Sequence, residues 1–197
     1  MIEIFSPIHA VAFQSLTSVD VKRDDLIDPY ISGNKWRKLK HILNAAKKAQ
    51  KKHLITFGGA YSNHLLATAA LAARANLKST AFVRGEIVSN EMLMLCKLFG
   101  MKLIFTDRTA YKDKNQLYET HFGSDNEAFF IDEGGACKEG IIGCSEIITE
   151  LQESYTHIFC AAGTGTTAAG LLKGINDQKL NTTLHVVPVL KGGEFIE

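Results

Sequence analysis

What is scarce in this chain narrows it before any motif does. Only 3 prolines are spread over 197 residues, and no Pro- or Ser-rich linker divides the sequence into separate modules. The 4 cysteines, Cys96, Cys137, Cys144 and Cys160, show no C-x-x-C spacing. That excludes the common zinc and redox motifs; no metal site is expected, and each cysteine reads as a small buried hydrophobe. No window approaches the roughly 18 consecutive apolar residues of a membrane span. The opening run MIEIFSPIHA lacks the basic flank and long apolar stretch of a signal peptide, so the expectation is a cytoplasmic protein with reduced thiols and no membrane partner. Charge of one sign is missing too: 22 basic residues against 21 acidic ones leave a formal net charge of +1. This argues against a nucleic-acid footprint spread over the molecule and points to a small-molecule partner.

With 46% hydrophobic and 22% charged residues, the chain can bury a core of one or two globular domains. Short β-rich runs alternate with helical ones: HLITFG then SNHLLATAALAARA, STAFVR then NEMLMLCKLF, KLIFTD then YKDKNQLYETHF, AFFID then KEGIIGCSEIITELQ, HIFCAA then TTAAGLLKGI, and finally LHVVPVL. Repeated βα units of this kind predict an α/β fold around mainly parallel sheet. Ligands in such folds sit at the carboxyl ends of strands, where the following helix offers free N–H groups. The last strand leads only into LKGGEFIE, which predicts a chain cut short of its full sheet.

The stretch SGNKWRKLK, residues 32–40, sets cations at a helix start, where the dipole prefers anions. A helix over NKWRKLKHILNAAKKAQKK would bury Trp36, Leu39, Leu43 and Ala46 and leave Lys35 in its first turn. The helix N-terminus and the neighbours Arg37 and Lys38 all disfavour an ammonium at Lys35. A neutral amine at a pocket edge is what Schiff-base chemistry needs; a solvated basic face is the ordinary alternative. The later KKAQKK suits a helix C-terminus and needs no functional reading.

Two glycine-rich turns follow strands. In GGAYSNH, residues 58–64, Gly58 and Gly59 permit a sharp turn, and Ser62 or Asn63 can either cap the next helix or seat a carboxylate. His64 taken singly reads as packed or exposed. In AAGTGTTAAG, residues 161–170, Gly163 and Gly165 let backbone approach a ligand while Thr164, Thr166 and Thr167 add hydroxyls at a helix start, a nest suited to phosphate. No lysine makes it a P-loop. It matches G-x-G-x-x-A, yet the acidic residue expected about twenty positions on is absent from TTLHVVPVLKGG. A further run, DEGGACKEGIIGCSE, puts Gly140 and Gly143 inside a helix, where close packing or a hinge would explain them.

The GNKxRKL helix, the GGxxSNH turn, the EGG loop and the glycine-threonine nest, in this order, resemble the 1-aminocyclopropane-1-carboxylate deaminase/D-cysteine desulfhydrase family of pyridoxal-phosphate enzymes. The similarity runs from about Lys22 to the end. It implies the tryptophan-synthase β-like fold (fold type II), with two doubly wound parallel-sheet domains: a large one from residues 1–45 and 155–197, lacking its C-terminal part, and a small inserted one at 46–154 that closes over substrate. It also implies a homodimer, pyridoxal 5'-phosphate as cofactor and a small amino acid as substrate.

On that resemblance Lys35 is the catalytic lysine that carries the cofactor and moves protons, and Lys38 helps hold the phosphate. Asn63 lies beside the pyridine ring. Ser62, catalytic as well, joins the helix start at Asn63 and His64 in taking the substrate carboxylate. Thr164, Gly165, Thr166 and Thr167 form the phosphate cup. The implied reaction converts D-cysteine or 1-aminocyclopropane-1-carboxylate to a 2-oxo acid and ammonia, with sulfide from cysteine. Two positions depart from the family pattern: Tyr61 where many members have Gln, and Leu66 where they have Arg. The groups facing the pyridine nitrogen and an aromatic near the substrate have no counterpart in the chain. A β-replacement enzyme of the cysteine-synthase type and a non-catalytic truncated remnant are the alternatives.

Overall fold

The structure, a computed structural model, describes residues 4–13 and 16–189. The loop expected after the last strand, residues 190–197, lies outside them. The chain opens with an antiparallel hairpin, β1 (Ile8–Phe13) with β2 (Leu16–Lys22), and continues through α1 (Asn34–Lys48), β3 (His53–Gly59), α2 (Asn63–Arg74), β4 (Lys78–Arg84), α3 (Glu91–Leu98) and β5 (Lys102–Thr106). It then runs through α4 (Lys114–Phe122), β6 (Ala128–Ile131), α5 (Lys138–Thr149), β7 (His157–Ala162), α6 (Thr166–Asp177) and β8 (Thr183–Pro188).

Four strands form a parallel sheet in the order β5-β4-β3-β6, and β7 pairs with β8, also in parallel. The continuous apolar run of β3 is explained by its central place: Leu54, Ile55, Thr56 and Phe57 are wholly buried, as a strand covered on both faces must be. From β3 the chain moves outward to β4 and β5, then returns to the other side of β3 with β6. This reversal makes the gap between β3 and β6 a topological switch point, and its carboxyl-end crevice is where such sheets take ligands. The turn GGAYSNH leaves β3 there and the EGG loop leaves β6 there.

The α1 helix stops at Lys48, short of the expected residue 52, with Lys47 and Lys48 in its last turn where cations suit the dipole. Its buried face also differs from expectation. Trp36, Leu39, Ile42 and Ala46 go inside and Leu43 is only half-buried, while Arg37 and Lys38 are buried with them. The glycines of α5 and α6 turn out to serve close packing. A β-carbon on Gly143 would stand 1.9 Å from the Arg37 carbonyl oxygen, and one on Gly170 would stand 2.4 Å from Cys144 Cβ. Helices α1, α5 and α6 therefore lie backbone to backbone beneath the site, which fixes the start of α1 against the start of α6.

Candidate active site

Gly33 (φ 62°, ψ −145°) precedes α1 in a conformation that only glycine takes readily, and it delivers Asn34 and Lys35 to the helix start. Lys35 Nζ donates to Asn34 Oδ1 at 3.1 Å, and Asn34 Nδ2 donates to Thr167 Oγ1 at 2.8 Å. The lysine is thus tied to the nest at the start of α6. Burial pushes its amine below the ordinary lysine range. The direction expected from the helix N-terminus, Arg37 and Lys38 is observed, but its cause is burial. The Arg37 guanidinium turns away and binds Asp24 and Glu150.

Lys38 is 2% exposed. Its Nζ donates to the Gly134 carbonyl at 3.0 Å, and burial together with the neighbouring Lys35 pushes its amine down to about 8. A β-carbon on Gly140 would lie 3.3 Å from Thr166 Cγ2 and 3.4 Å from Lys38 Cγ, so Lys38 and the nest share the space that this glycine leaves. Among the described residues neither Lys35 nor Lys38 pairs with a carboxylate. A buried amine and a half-buried one are neighbours here with no carboxylate paired to either among the described residues.

This arrangement has a measurable cost. The folded value near 8 against an ordinary 10.5 means that the unfolded chain binds more protons between those limits, so the Lys38 contribution to stability rises as pH climbs from about 8 to 10.5. Below that window the penalty is present in full, at most about 3 kcal/mol for a shift of this size. Lys38→Met should therefore stabilise the cofactor-free chain at pH 7 and lose that advantage by pH 10.5. Urea denaturation at several pH values checks it; equal stabilities at pH 7 would show that the amine is not penalised.

Ser62 occupies the cap position of α2, but its side chain makes no capping bond. The hydroxyl lies 2.9 Å from where a β-carbon on Gly58 would sit, so glycine there is what gives it room. Asn63 lines a small cavity of about 280 Å³ with Asn34, Lys35 and Leu66. His64 is 1% exposed, and its Nε2 lies 2.8 Å from Thr56 Oγ1. The Thr56 hydroxyl gives its one hydrogen to the Ile131 carbonyl at 3.1 Å, so His64 Nε2–H is the donor to Thr56, and Nδ1 is left as a buried acceptor without a partner among the described residues. Burial, with Lys35 and Lys38 nearby, pushes this imidazole down to about 3, and it stays neutral. Its side chain is packed under the site; only its backbone N–H is placed at the helix start.

The nest lies between β7 and α6. Gly165 (φ 76°) turns the chain into the helix, and the hydroxyls of Thr164 and Thr166 stand 3.1 Å apart. A β-carbon on Gly134 would come within 2.9 Å of Thr164 Cγ2, so the EGG loop after β6 presses directly on the nest. A cleft of about 1380 Å³ carries Ser62 on one wall and Thr164 on another. The structure thus gathers Lys35, Lys38, Ser62, Asn63 and the Thr164–Thr167 turn around the carboxyl ends of β3, β6 and β7. Sequence reasoning assigned no role to Asn34, although it quoted the Gly-Asn pair at the helix start. It also passed over Arg84, whose place at the end of β4 facing the cleft was the available signal.

A family profile described as "Pyridoxal-phosphate dependent enzyme" matches residues 7–194. A Thermotoga maritima protein provisionally named a 1-aminocyclopropane-1-carboxylate deaminase is 36% identical over 169 residues, which cover 81% of this chain and 54% of that one. A bifunctional D-cysteine desulfhydrase/1-aminocyclopropane-1-carboxylate deaminase of Arabidopsis thaliana is 28% identical, over 96% of this chain and 54% of its own. Among solved structures, one described as an ACC deaminase homologue superposes with a TM-score of 0.80 at 27% identity, covering 92% of this chain and 59% of that one. The chain spans about half the length of the curated relatives it matches.

Proposed function

Because the chain belongs to the family of pyridoxal-phosphate-dependent enzymes, we propose that it carries the cofactor on Lys35 and acts on a small amino acid as a deaminase or desulfhydrase of the D-cysteine or 1-aminocyclopropane-1-carboxylate type. One observation carries this reading: the half-buried Lys35 and the buried Lys38, neither paired with a carboxylate among the described residues, stand beside a nest of backbone N–H groups and threonine hydroxyls. An aldehyde that bears a phosphate meets both needs at once, taking the amine of lowered pKa and offering the missing anion. Lys38 and the Thr164–Thr167 turn would hold the phosphate by charge-assisted hydrogen bonds. Asn63, next to Lys35 in the small cavity, would flank the ring.

When bound, the cofactor supplies an electron sink for the carbanion formed at the substrate α-carbon. The chain supplies position and proton traffic. The Ser62 hydroxyl, free of any capping duty, and the first N–H groups of α2 at Asn63 and His64 take the substrate carboxylate. Lys35, whose amine burial holds below the ordinary lysine range, would act as the proton carrier for the substrate. The His64 imidazole, neutral and turned inward, adds no charge that would compete for the carboxylate. The products are a 2-oxo acid and ammonia, with sulfide in addition from cysteine. Closure of residues 46–154 over residues 1–45 and 155–197 belongs to the same reading.

The test is chemical. Purified chain loaded with pyridoxal phosphate and treated with borohydride should carry one pyridoxyl group, on the peptide containing Lys35. Assays of 2-oxo acid from D-cysteine and from 1-aminocyclopropane-1-carboxylate then identify the substrate. A label on another lysine, or none, removes the assignment.

A further inference from the structure

Arg84 ends β4 beside Gly59 in the parallel register. Its Nη2 comes within 3.8 Å of the place a β-carbon on Gly59 would occupy, and its Cζ lies 5.5 Å from the centroid of the Tyr111 ring. Tyr111 is 3% exposed and packs on Phe57, so the ring is a fixed plate for the guanidinium. Arg84 forms no ion pair among the described residues.

Other charges on the cleft wall are mostly engaged. Lys114 is shared by Asp132 and Glu133, and Asp107 accepts the N–H groups of Thr109 and Ala110. Glu86 and Arg108 complete the set. Arg84 is therefore exposed on the cleft that Ser62 also lines, lying over the Tyr111 ring and unpaired with any carboxylate among the described residues. Successive strand residues face opposite sides, so Ser62, packed on the Gly58 side, and Arg84, packed on the Gly59 side, flank the end of β3.

We infer that Arg84 is a second anion-binding group of the cleft, and that it selects amino acids bearing an acidic group on the β-carbon. The selection rests on the reading of the Ser62 turn given above: with the α-carboxylate on Ser62, a β-substituent that crosses the end of β3 would meet the guanidinium. Its planar fork suits a carboxylate or a sulfur acid, and a thiol that ionises gains from the same charge. Amino acids with an unsubstituted β-carbon, or with a hydrocarbon ring there, gain nothing from Arg84.

The experiment titrates cofactor-loaded chain with D-aspartate, L-aspartate and D-alanine, followed by the visible absorbance of the cofactor, in the wild type, Arg84→Leu and Arg84→Lys. The preference for one aspartate enantiomer over alanine, read as the ratio of dissociation constants, should fall at least tenfold in Arg84→Leu and recover in part in Arg84→Lys. A ratio unchanged within twofold overturns the selection. A second arm uses cofactor-free chain and inorganic sulfate, monitored by the side-chain N–H resonance of Arg84. A saturable shift supports the anion site, and its absence overturns it. A sulfate response in a chain whose cofactor ignores every amino acid would keep Arg84 as an anion site and retire the reading of the Ser62 turn.

Discussion

Lys35→Ala should abolish covalent attachment of the cofactor while the chain keeps its fold. Among the described residues the Lys35 amine meets one protein partner, Asn34 Oδ1, and its burial already holds it below the usual lysine range. Removing it therefore relieves a desolvation penalty, and alanine is at least as good a helix former as lysine in the first turn of α1. Melting temperature should not fall. Turnover loses both the attachment point and the proton carrier; general acid–base groups alone are worth about 10²–10⁴-fold, so a loss beyond about 10³-fold is expected. Mass spectrometry after borohydride, with thermal melts on the same sample, checks both halves. Pyridoxyl still fixed to the variant, or turnover within tenfold of wild type, would show that another lysine does this work.

The βα rhythm was legible because it follows from burial. A strand covered on both faces must be apolar throughout, and HLITFG and STAFVR read that way, while the longer runs between strands read as helical. The β1–β2 hairpin was not foreseen. Several of its residues, Val11, Val19 and Val21 among them, remain well exposed, so it shows no clear apolar face, and no Asn-Gly or Asp-Gly turn marks it. The glycines at Gly140 and Gly143 were visible as anomalies, but their choice between hinge and packing depended on what lay opposite. Gly143 faces the Arg37 carbonyl, a contact between helices far apart in sequence.

At the site, the turns and the lysine could be read because each has a local signature: paired glycines after a strand, hydroxyls at a helix start, a cation where the dipole opposes one. Charges were harder. Lys35, Arg37 and Lys38 look alike in sequence, yet one serves a pocket, one an internal ion pair and one a backbone carbonyl. Their partners are Asn34 next door for Lys35, Glu150 at 113 residues' separation for Arg37 and Gly134 at 96 for Lys38. Helical period predicts which way a side chain leaves the axis, but not whether a counter-charge waits there. His64 illustrates the same limit: the sequence left it packed or exposed, and its burial and tautomer follow only once the Thr56 and Ile131 partners are known.

Arg37→Met should cost about 3 kcal/mol, the low end of the range for breaking a buried ion pair by removing one partner, because Asp24 and Glu150 are only part-buried. The Arg37 side chain is wholly buried. Its Nε and Nη2 reach Asp24 at 3.0 and 2.7 Å, and Nη1 and Nη2 bind Glu150, the latter at 2.8 Å. Lys22, at the end of β2, joins Glu150 at 2.9 Å. One guanidinium thus fastens the hairpin and the segment after it to α1 and to the end of α5. Methionine can fill the space of the stem, but it leaves Asp24 with the Ser6 hydroxyl and Glu150 with Lys22, and no guanidinium joining the two carboxylates. The deficit is a large part of the roughly 5–15 kcal/mol that holds a typical domain together. It also depends on pH. Burial raises the Glu150 carboxyl, but the bonds from Arg37 and Lys22 outweigh that and hold it below its ordinary 4.5. A depressed carboxyl contributes stability that is present above the unfolded value and lost as pH falls through the folded one. The gap between wild type and Arg37→Met should therefore be widest near neutrality and narrow in acid below about pH 4.5. Urea denaturation at pH 7 and in acid measures it, and a cost under 1 kcal/mol at pH 7 would mean that the arginine is dispensable to the fold.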